Sequence, residues 1–358
     1  MRYKPDFDRA RQYWRAFWAQ EVIDRPCVYV TAPKKDVEPS PLWISPALSY
    51  FACIRDEWNT LLPRFERSVA STYYGGEAFP QLDLTLGPDE YAAFLGGALQ
   101  AQEGNFTTWS HPVVDDLEGY HPVIDRSENG YFEIFRRALA KATAYAQDKF
   151  FVNMLDYHSH FDALCALRDP QELCMDLLDC PDEAQRVLDE VAATYPDIYR
   201  MVYETGDMAR RGCCGWPPVY VEEGKFAVVS SDYSCLLGEE QGRRFVLPYV
   251  EQEVSFLDRS LYHLDGKDAL VHLDNLLAVE GIHTFQWVPG DGAPRSIEWM
   301  ELLHKIQAAG KSLWIYDWTP EEIMLHFKEL DPAKVVFSTS CATEDDAERL
   351  LAYLKAHM

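Results

Sequence analysis

His263 and Asp265 stand two residues apart in the extended run LYHLDG, and Cys341 follows the apolar run VVFSTS. Residues two apart in a strand point the same way with Cα atoms roughly 7 Å apart, so these two side chains can share one ion. A histidine nitrogen, a carboxylate oxygen and a thiolate are all acceptable zinc ligands. Three protein ligands leave a fourth position for a substrate atom, which is the arrangement of a catalytic site and not of a structural one. The same residues have a plainer reading, in which the carboxylate orients the imidazole and the cysteine fills space as a small apolar group.

A second group lies in DYHSH, where His158 and His160 alternate onto one face beside Tyr157. It is a rival metal pair or, more simply, a set of substrate contacts. Asp232 follows the strand-like FAVVSS, Gln286 and Trp287 end the run HTFQWV, and Tyr316 and Asp317 follow SLWI. Asp232 and Tyr316 are the expected reactive groups at the mouth; Tyr157, His158, His160, Gln286, Trp287 and Asp317 are the expected substrate-binding residues. Polar residues at these points also serve as helix caps, as Asp232 would before Gly238 and Asp317 before Pro320. The adjacent Cys213 and Cys214 have no ligand-spaced partner and read as structural. No Gly-x-Gly-x-x-Gly turn, phosphate loop or Gly-x-Ser-x-Gly elbow is present, so nucleotide hydrolysis and serine-esterase chemistry drop out.

These residues need a scaffold that brings distant strand ends together. From Leu261 to Leu351 four strand-like runs, each followed by a helical pattern, end in polar residues, which is the sequence form of a parallel barrel whose site is built from the loops at one end. The expectation is an α/β fold, a (β/α)8 TIM barrel forming one domain over 1–358. Aromatic spacing at Tyr13, Trp14, Phe17 and Trp18 predicts an N-terminal helix within 1–25, with Trp14 in the core. PCVYVTAP reads as the first strand, and a helix follows around Phe51 to Ser68. Residues 70–121, which mix Gly, Thr and aromatics, read as an insertion over the barrel mouth. Asn129 to Asp148 is helical, KFFVNMLDYHSH is a buried strand ending in polar residues, and Asp169-Pro170 and Cys180-Pro181 should break the tract from Phe161 to about Asp207 into three helices. GEEQGRRFVLPYVEQEVSFLDRSL reads as one helix.

The 358 residues, 47% hydrophobic and 13% aromatic, suffice for a large core. With 58 acidic and 33 basic residues the formal charge is -25, a field that repels phosphate backbones and anionic lipid, so neither nucleic acid nor membrane is an expected partner. No run reaches the roughly 18 apolar residues that crossing a bilayer requires, and the N-terminus lacks a signal-peptide core. Nine cysteines, an odd count in a long chain, fit a reducing cytoplasm better than a disulfide framework.

DYSCLLGEEQGRRFVLPYV, from Asp232 to Val250, resembles the uroporphyrinogen decarboxylase superfamily, as do FDALCALRDPQELCMDLLDCPDEAQRVLDEV from Phe161 to Val191, and HLDG with the later QWVPG. The resemblance spans roughly residues 150 to 350. It implies a (β/α)8 barrel and one of two chemistries. Metal-free decarboxylases of the superfamily bind an anionic tetrapyrrole through an arginine-bearing loop after the first strand; here that loop is KKDVEPSP, without arginine. The other branch comprises zinc-dependent methyltransferases that pass a methyl group between a corrinoid protein and a thiol such as coenzyme M, holding zinc through His-x-Cys and a later Cys. His263 matches the histidine and Cys341 the final cysteine, while Asp265 stands at the first cysteine. The resemblance therefore implies a methyltransferase with Zn2+ on His263, Asp265 and Cys341, a small-molecule substrate, and a corrinoid carried by a separate protein. Asp156-Tyr157-His158 begins a pattern like the corrinoid-binding Asp-x-His-x-x-Gly, but Phe161 replaces the glycine, which argues against this chain being the carrier. A metal-free decarboxylase, or a catalytically silent binding member, stands as the alternative.

Overall fold

The computed structural model describes residues 1–358, an α/β protein organised on one large, mostly parallel sheet. In chain order the strands are β1 (Cys27–Pro33), β2 (Thr72–Gly76), β3 (Gln81–Leu82), β4 (Ala98–Gln100), β5 (Trp109–His111), β6 (Phe151–Val152), β7 (Cys213–Cys214), β8 (Tyr220–Val221), β9 (Phe226–Ser230), β10 (Arg259–Asp265), β11 (Thr284–Val288), β12 (Ser312–Ile315) and β13 (Val335–Ser340). Seven of them form the sheet β2-β1-β13-β12-β11-β10-β9, in which only the β2–β1 pair is antiparallel. Beyond β9 a parallel bridge joins Val228 to Asp156, just after β6, and β6 in turn pairs in parallel with β3.

Every crossover among β9 to β13 carries a helix, as parallel strands require. These strands are apolar on both sides: β9 (FAVVS) and β12 (SLWI) are buried throughout. The polar residues begin where each strand ends, which puts all the strand-end chemistry on one rim.

Several expected elements divide further. The tract 161–207 forms four helices and not three: His160–Arg168, Pro170–Asp179, Pro181–Ala193 and Tyr195–Thr205. The additional break is at Pro196, which sits in the first turn of the last helix, where a missing N–H costs nothing. For the same reason Pro248 starts a new helix, Leu247–Phe256, after Glu239–Phe245. The segment around Phe51 to Ser68 is likewise two helices, Pro46–Ile54 and Trp58–Ala70. Of residues 70–121, β2 and β3 belong to the sheets, while the hairpin β4–β5 and the helix Glu90–Phe94 stand outside the large one.

The opening helix, Phe7–Trp18, is amphipathic as its spacing predicts, and Trp14 is buried, donating from Nε1 to the Glu77 carbonyl at 3.1 Å. No helix is long and apolar enough to cross a membrane.

One ion pair holds the edge of the sheet where β1 and β2 meet. Arg25 donates through both terminal nitrogens to Glu77, at 2.6 and 2.8 Å, and Glu77 also accepts from the Val28 amide at 2.8 Å. Both side chains are at most 5% exposed. Removing one member of a buried pair strands the other without compensation, at a cost of about 3–5 kcal/mol. Arg25→Met is therefore expected to lower the free energy of urea unfolding by about that amount, and Arg25→Met with Glu77→Leu together by less than the sum of the single changes.

Candidate functional site

The register of three neighbouring parallel strands builds the floor of the site. His263 of β10 lies opposite Ser230 of β9 and opposite Gln286 of β11, so the three side chains stand side by side on one face. His263 Nδ1 is 2.7 Å from Gln286 Oε1. An amide oxygen only accepts, so Nδ1 carries a proton. Nε2 faces Asp232 Oδ1 at 3.9 Å, and Oδ1 is buried with no hydrogen-bond partner. Asp265, two residues along β10, completes the set: ligand atoms of Asp232, His263 and Asp265 all lie within 4.8 Å of one another.

A second cluster shares Asp232 and is carried by the loop from Asp156 to Asp162. His158 has φ of 31° and His160 of 42°, left-handed conformations that cost a non-glycine residue of order 1–3 kcal/mol and persist only where the surroundings enforce them. His158 is enforced by carboxylates on both sides. Its Nε2 is 3.2 Å from Asp156 Oδ2, and its Nδ1 is 3.4 Å from Asp162 Oδ2, 3.4 Å from Ser230 Oγ and 3.7 Å from Asp232 Oδ2. Asp162 also accepts from the Asp232 and Tyr233 amides at 2.8 and 3.1 Å, and so fixes the turn that carries Asp232.

Burial alone would lower the pKa of His158, but the charges of Asp156 and Asp232 outweigh it and raise the value well above the usual range. A carboxylate at each ring nitrogen favours the imidazolium form of His158; ligand atoms of His158, Asp162 and Asp232 also lie within 4.8 Å of one another. Burial would raise Asp156; His158, His263 and the Trp216 indole, which donates to its Oδ1 at 2.9 Å, bring it below the ordinary carboxylate value instead. Asp232 goes the other way: burial raises it, the two histidines oppose, and Asp162 and Asp156 add to the rise. Asp83 is pushed up to about 7 by burial and by the charge of Asp156. Trp216 closes the group, its ring 5.2 Å from that of His263 at 76°.

The structure thus brings together Asp232, His158, His263, Asp265 and Gln286, with Tyr316 near enough that, after burial and Asp317, Asp265 also raises its hydroxyl pKa. Other expected residues lie elsewhere. Cys341 does not join His263 and Asp265 in a ligand set; Asp232 stands in its place. The reason is strand parity. Phe337 packs on Trp318 with ring centroids 5.5 Å apart, Thr339 Oγ1 donates to the Trp318 carbonyl, and Cys341, whose amide continues the ladder to Thr31, falls on that same helix-covered side. Its thiol is pushed up to about 11 by burial, then by Asp346 and Glu321.

Trp287 is buried on the opposite side of β11 from Gln286, 5.2 Å from the Trp299 ring. Tyr157 is buried in an aromatic stack with Tyr195 and Tyr199. Asp317 accepts from the Ser296 backbone and hydroxyl and anchors that turn. His160 turns away from His158 toward Glu253. Four residues that the strand-end pattern did not single out complete the site: Asp83, Asp162, Trp216 and Ser230. Only Asp162 had a sequence signal, standing one helical turn beyond His158.

No family model and no curated protein matches this sequence. A solved structure does, described as a methyltransferase from Methanosarcina mazei; it is 12% identical, the match covers 97% of this chain and 98% of that one, and the TM-score is 0.59. The two share a fold. At that identity the likeness speaks for architecture along nearly the whole of both chains.

Two groups in the site set a pH dependence with one sign. His158 has a raised folded pKa, so its contribution to stability is complete below its unfolded value of 6.5 and is lost as pH rises through the folded value. Asp83 has its folded pKa raised from 3.8 to about 7, so ionising it opposes folding progressively across that interval. Thermal unfolding is expected to show stability falling as pH rises toward neutrality. Asp83→Asn should gain on the wild type over the same range and hold a constant lead above it; parallel curves for the two proteins would contradict the assignment.

Proposed function

We propose that this chain is a zinc-dependent methyltransferase that moves a methyl group between a small substrate and a corrinoid protein or thiol. The scaffold we infer is a closed (β/α)8 barrel. Its staves would be β1, β3, β6 and β9 to β13, supported by the β3–β6 pair, the Asp156–Val228 bridge and the bond from the Glu77 amide to the Val28 carbonyl at 2.8 Å. The Methanosarcina mazei methyltransferase with the same fold agrees with the reading, as do nine free thiols with a reducing cytoplasm.

The observation that carries the metal is the meeting of His263 Nε2 and Asp232 Oδ1. Oδ1 is buried without a hydrogen-bond partner, and Gln286 engages Nδ1, which leaves Nε2 as the ring nitrogen turned toward the carboxylate. A metal ion between them would take the place of any proton on Nε2, and a hydrogen bond to the far nitrogen is the usual way a protein orients a histidine ligand. Asp232, His263 and Asp265 would hold the ion, in place of the set His263, Asp265 and Cys341. When bound, zinc would supply Lewis-acid polarisation of a substrate heteroatom.

The chain's own groups do the rest. His158 is an imidazolium whose Nδ1 lies beside Asp232 and Ser230, placed to give a proton to a heteroatom that departs with the electron pair of its bond to the methyl carbon. Asp83, titrating near neutrality, can return a proton to this network. Asp162 keeps the Asp232 turn in place, and Trp216 covers one side of the His263 ring. A substrate with several carboxylates suits this site badly, because five aspartates line or adjoin it. Arg136, Arg243 and Arg295, which a convergent anion site could otherwise draw on, pair with Glu133, Glu239 and Glu322. That weighs against tetrapyrrole decarboxylation.

Metal analysis of protein purified without chelator tests the reading. About one zinc per chain is expected in the wild type and in Cys341→Ser, with loss in His263→Ala and in Asp232→Asn. Gln286→Leu should weaken zinc binding about 10- to 100-fold in a chelator competition. A metal-free wild type, or zinc that departs with Cys341 and stays with Asp232→Asn, would refute this ligand set.

A further inference from the structure

Ser159-His160-Phe161-Asp162 has the form of a capping box, a serine followed three residues later by an acid. The helix His160–Arg168 starts where that pattern places it, with Ser159 at its N-cap and Asp162 as its third residue. In such a box the hydroxyl accepts from the third amide of the helix, and the acid accepts from the amide of the serine. Neither bond is made here. The Ser159 hydroxyl donates to Glu253 Oε2 at 2.8 Å, and the Asp162 carboxylate accepts from the Asp232 and Tyr233 amides at 2.8 and 3.1 Å. The first amides of the helix find other partners: that of Phe161 meets His160 Nδ1 at 2.7 Å, and that of Asp162 meets the Ser159 carbonyl at 3.2 Å.

Two residues of capping type at capping positions, both used elsewhere, mark a local preference overruled by a contact from outside. On the Ser159 side that contact is Glu253. It stands on the helix Leu247–Phe256, which packs against β9, and it is 4% exposed. The oxygen that holds Ser159 also lies 3.4 Å from His160 Nε2, so one buried carboxylate reaches the two residues that follow His158. Positive φ at His158 and His160 persists only where the surroundings enforce it. The carboxylates of the site enforce it from one side, and Glu253 from the other.

We propose that Glu253 is a positioning residue of the strand-end site. By drawing the Ser159 hydroxyl out of the capping box, it leaves Asp162 to hold the Asp232 turn and keeps the 156–162 loop in the form that sets His158 among its carboxylates. Without Glu253 the box closes: Ser159 takes the Asp162 amide, Asp162 takes the Ser159 amide, and the Asp232 turn loses both bonds to the loop. The consequence for activity rests on the strand-end cluster being the site, but the bonds themselves can be followed without it.

Hydrogen exchange of the full chain, read in the segment that carries the Asp232 and Tyr233 amides, tests this. Glu253→Met fills much the same space but offers no oxygen; it is expected to speed exchange there at least about tenfold, the range of a lost hydrogen bond to a charged group, while β12 and β13 keep their wild-type rates. Glu253→Gln, whose amide oxygen still accepts from Ser159, should return the segment to near the wild-type rate. Ser159→Ala removes the same bond from the loop side and stands in if Glu253→Met does not fold. Zinc should bind about tenfold more weakly to Glu253→Met in a chelator competition, and recover in Glu253→Gln. Unchanged exchange in Glu253→Met, acceleration spread evenly over the chain, exchange as fast in Glu253→Gln, or zinc held as tightly by Glu253→Met as by the wild type would each overturn the proposal. The exchange comparison decides it even where the wild type holds no zinc, a result that would count against the metal and not against Glu253.

Discussion

Three carboxylates, Asp156, Asp162 and Asp232, surround one imidazole, His158, and the geometry of the strand ends follows from keeping that group together. Like charges at such separations repel, and burial raises the cost of each. The imidazolium therefore stabilises the cluster only while it stays protonated, and the carboxylates are what keep it so. The dependence is mutual. It explains why a histidine is held in a left-handed backbone conformation: the strain at residue 158 is small beside the cost of leaving three crowded carboxylates, Asp162 among them buried, without a counter-charge.

The balance extends outward through Asp232, which belongs to both clusters. On one side it meets His158; on the other its Oδ1 faces Nε2 of His263. One carboxylate thus links the two histidines. Asp162 sets this position without entering the second cluster, because its hydrogen bonds reach the backbone of the Asp232 turn and not the side chain. The register of β9, β10 and β11 makes the arrangement rigid, since a shift of one residue in β10 would turn His263 outward with Tyr262's neighbours and bring Leu264 in.

Much of this was legible in the sequence, and the failures have physical causes. The strand and helix alternation after residue 225 was readable because each apolar run ends sharply in polar residues, and the His263–Asp265 pairing followed from the two-residue repeat of a strand. Cys341 was misplaced for a reason that the repeat cannot cure. β13 begins VVF, buried on both faces, so the sequence carries no alternation from which to tell which side its later residues take. Strand alternation would put His158 and His160 on one face; positive φ at both ends the extended run before the helix at His160, and their rings diverge toward Asp156 and Glu253. Asp162 acts on amides seventy residues further along, a contact that no local pattern records. The fourth helix of 161–207 starts at Pro196 without the Asp or Cys that precedes Pro170 and Pro181, though Pro196 is as good a first-turn residue as either.

The donor set also bears on which half of a methyl transfer this site would favour. Thiolate ligands give electron density to a zinc ion and keep a bound substrate thiolate reactive; a set of two carboxylates and one imidazole gives less, and leaves the ion a stronger Lewis acid. Such an ion suits the activation of a leaving oxygen or nitrogen more than the activation of an attacking sulfur. The imidazolium of His158 points to the same half-reaction, because a proton donor assists a departing heteroatom and would quench an attacking thiolate. On the proposed function, the oxygen-rich set of Asp232, His263 and Asp265 and the imidazolium of His158, which meet at Asp232, would together favour removal of a methyl group from an oxygen or nitrogen substrate over its delivery to a thiol.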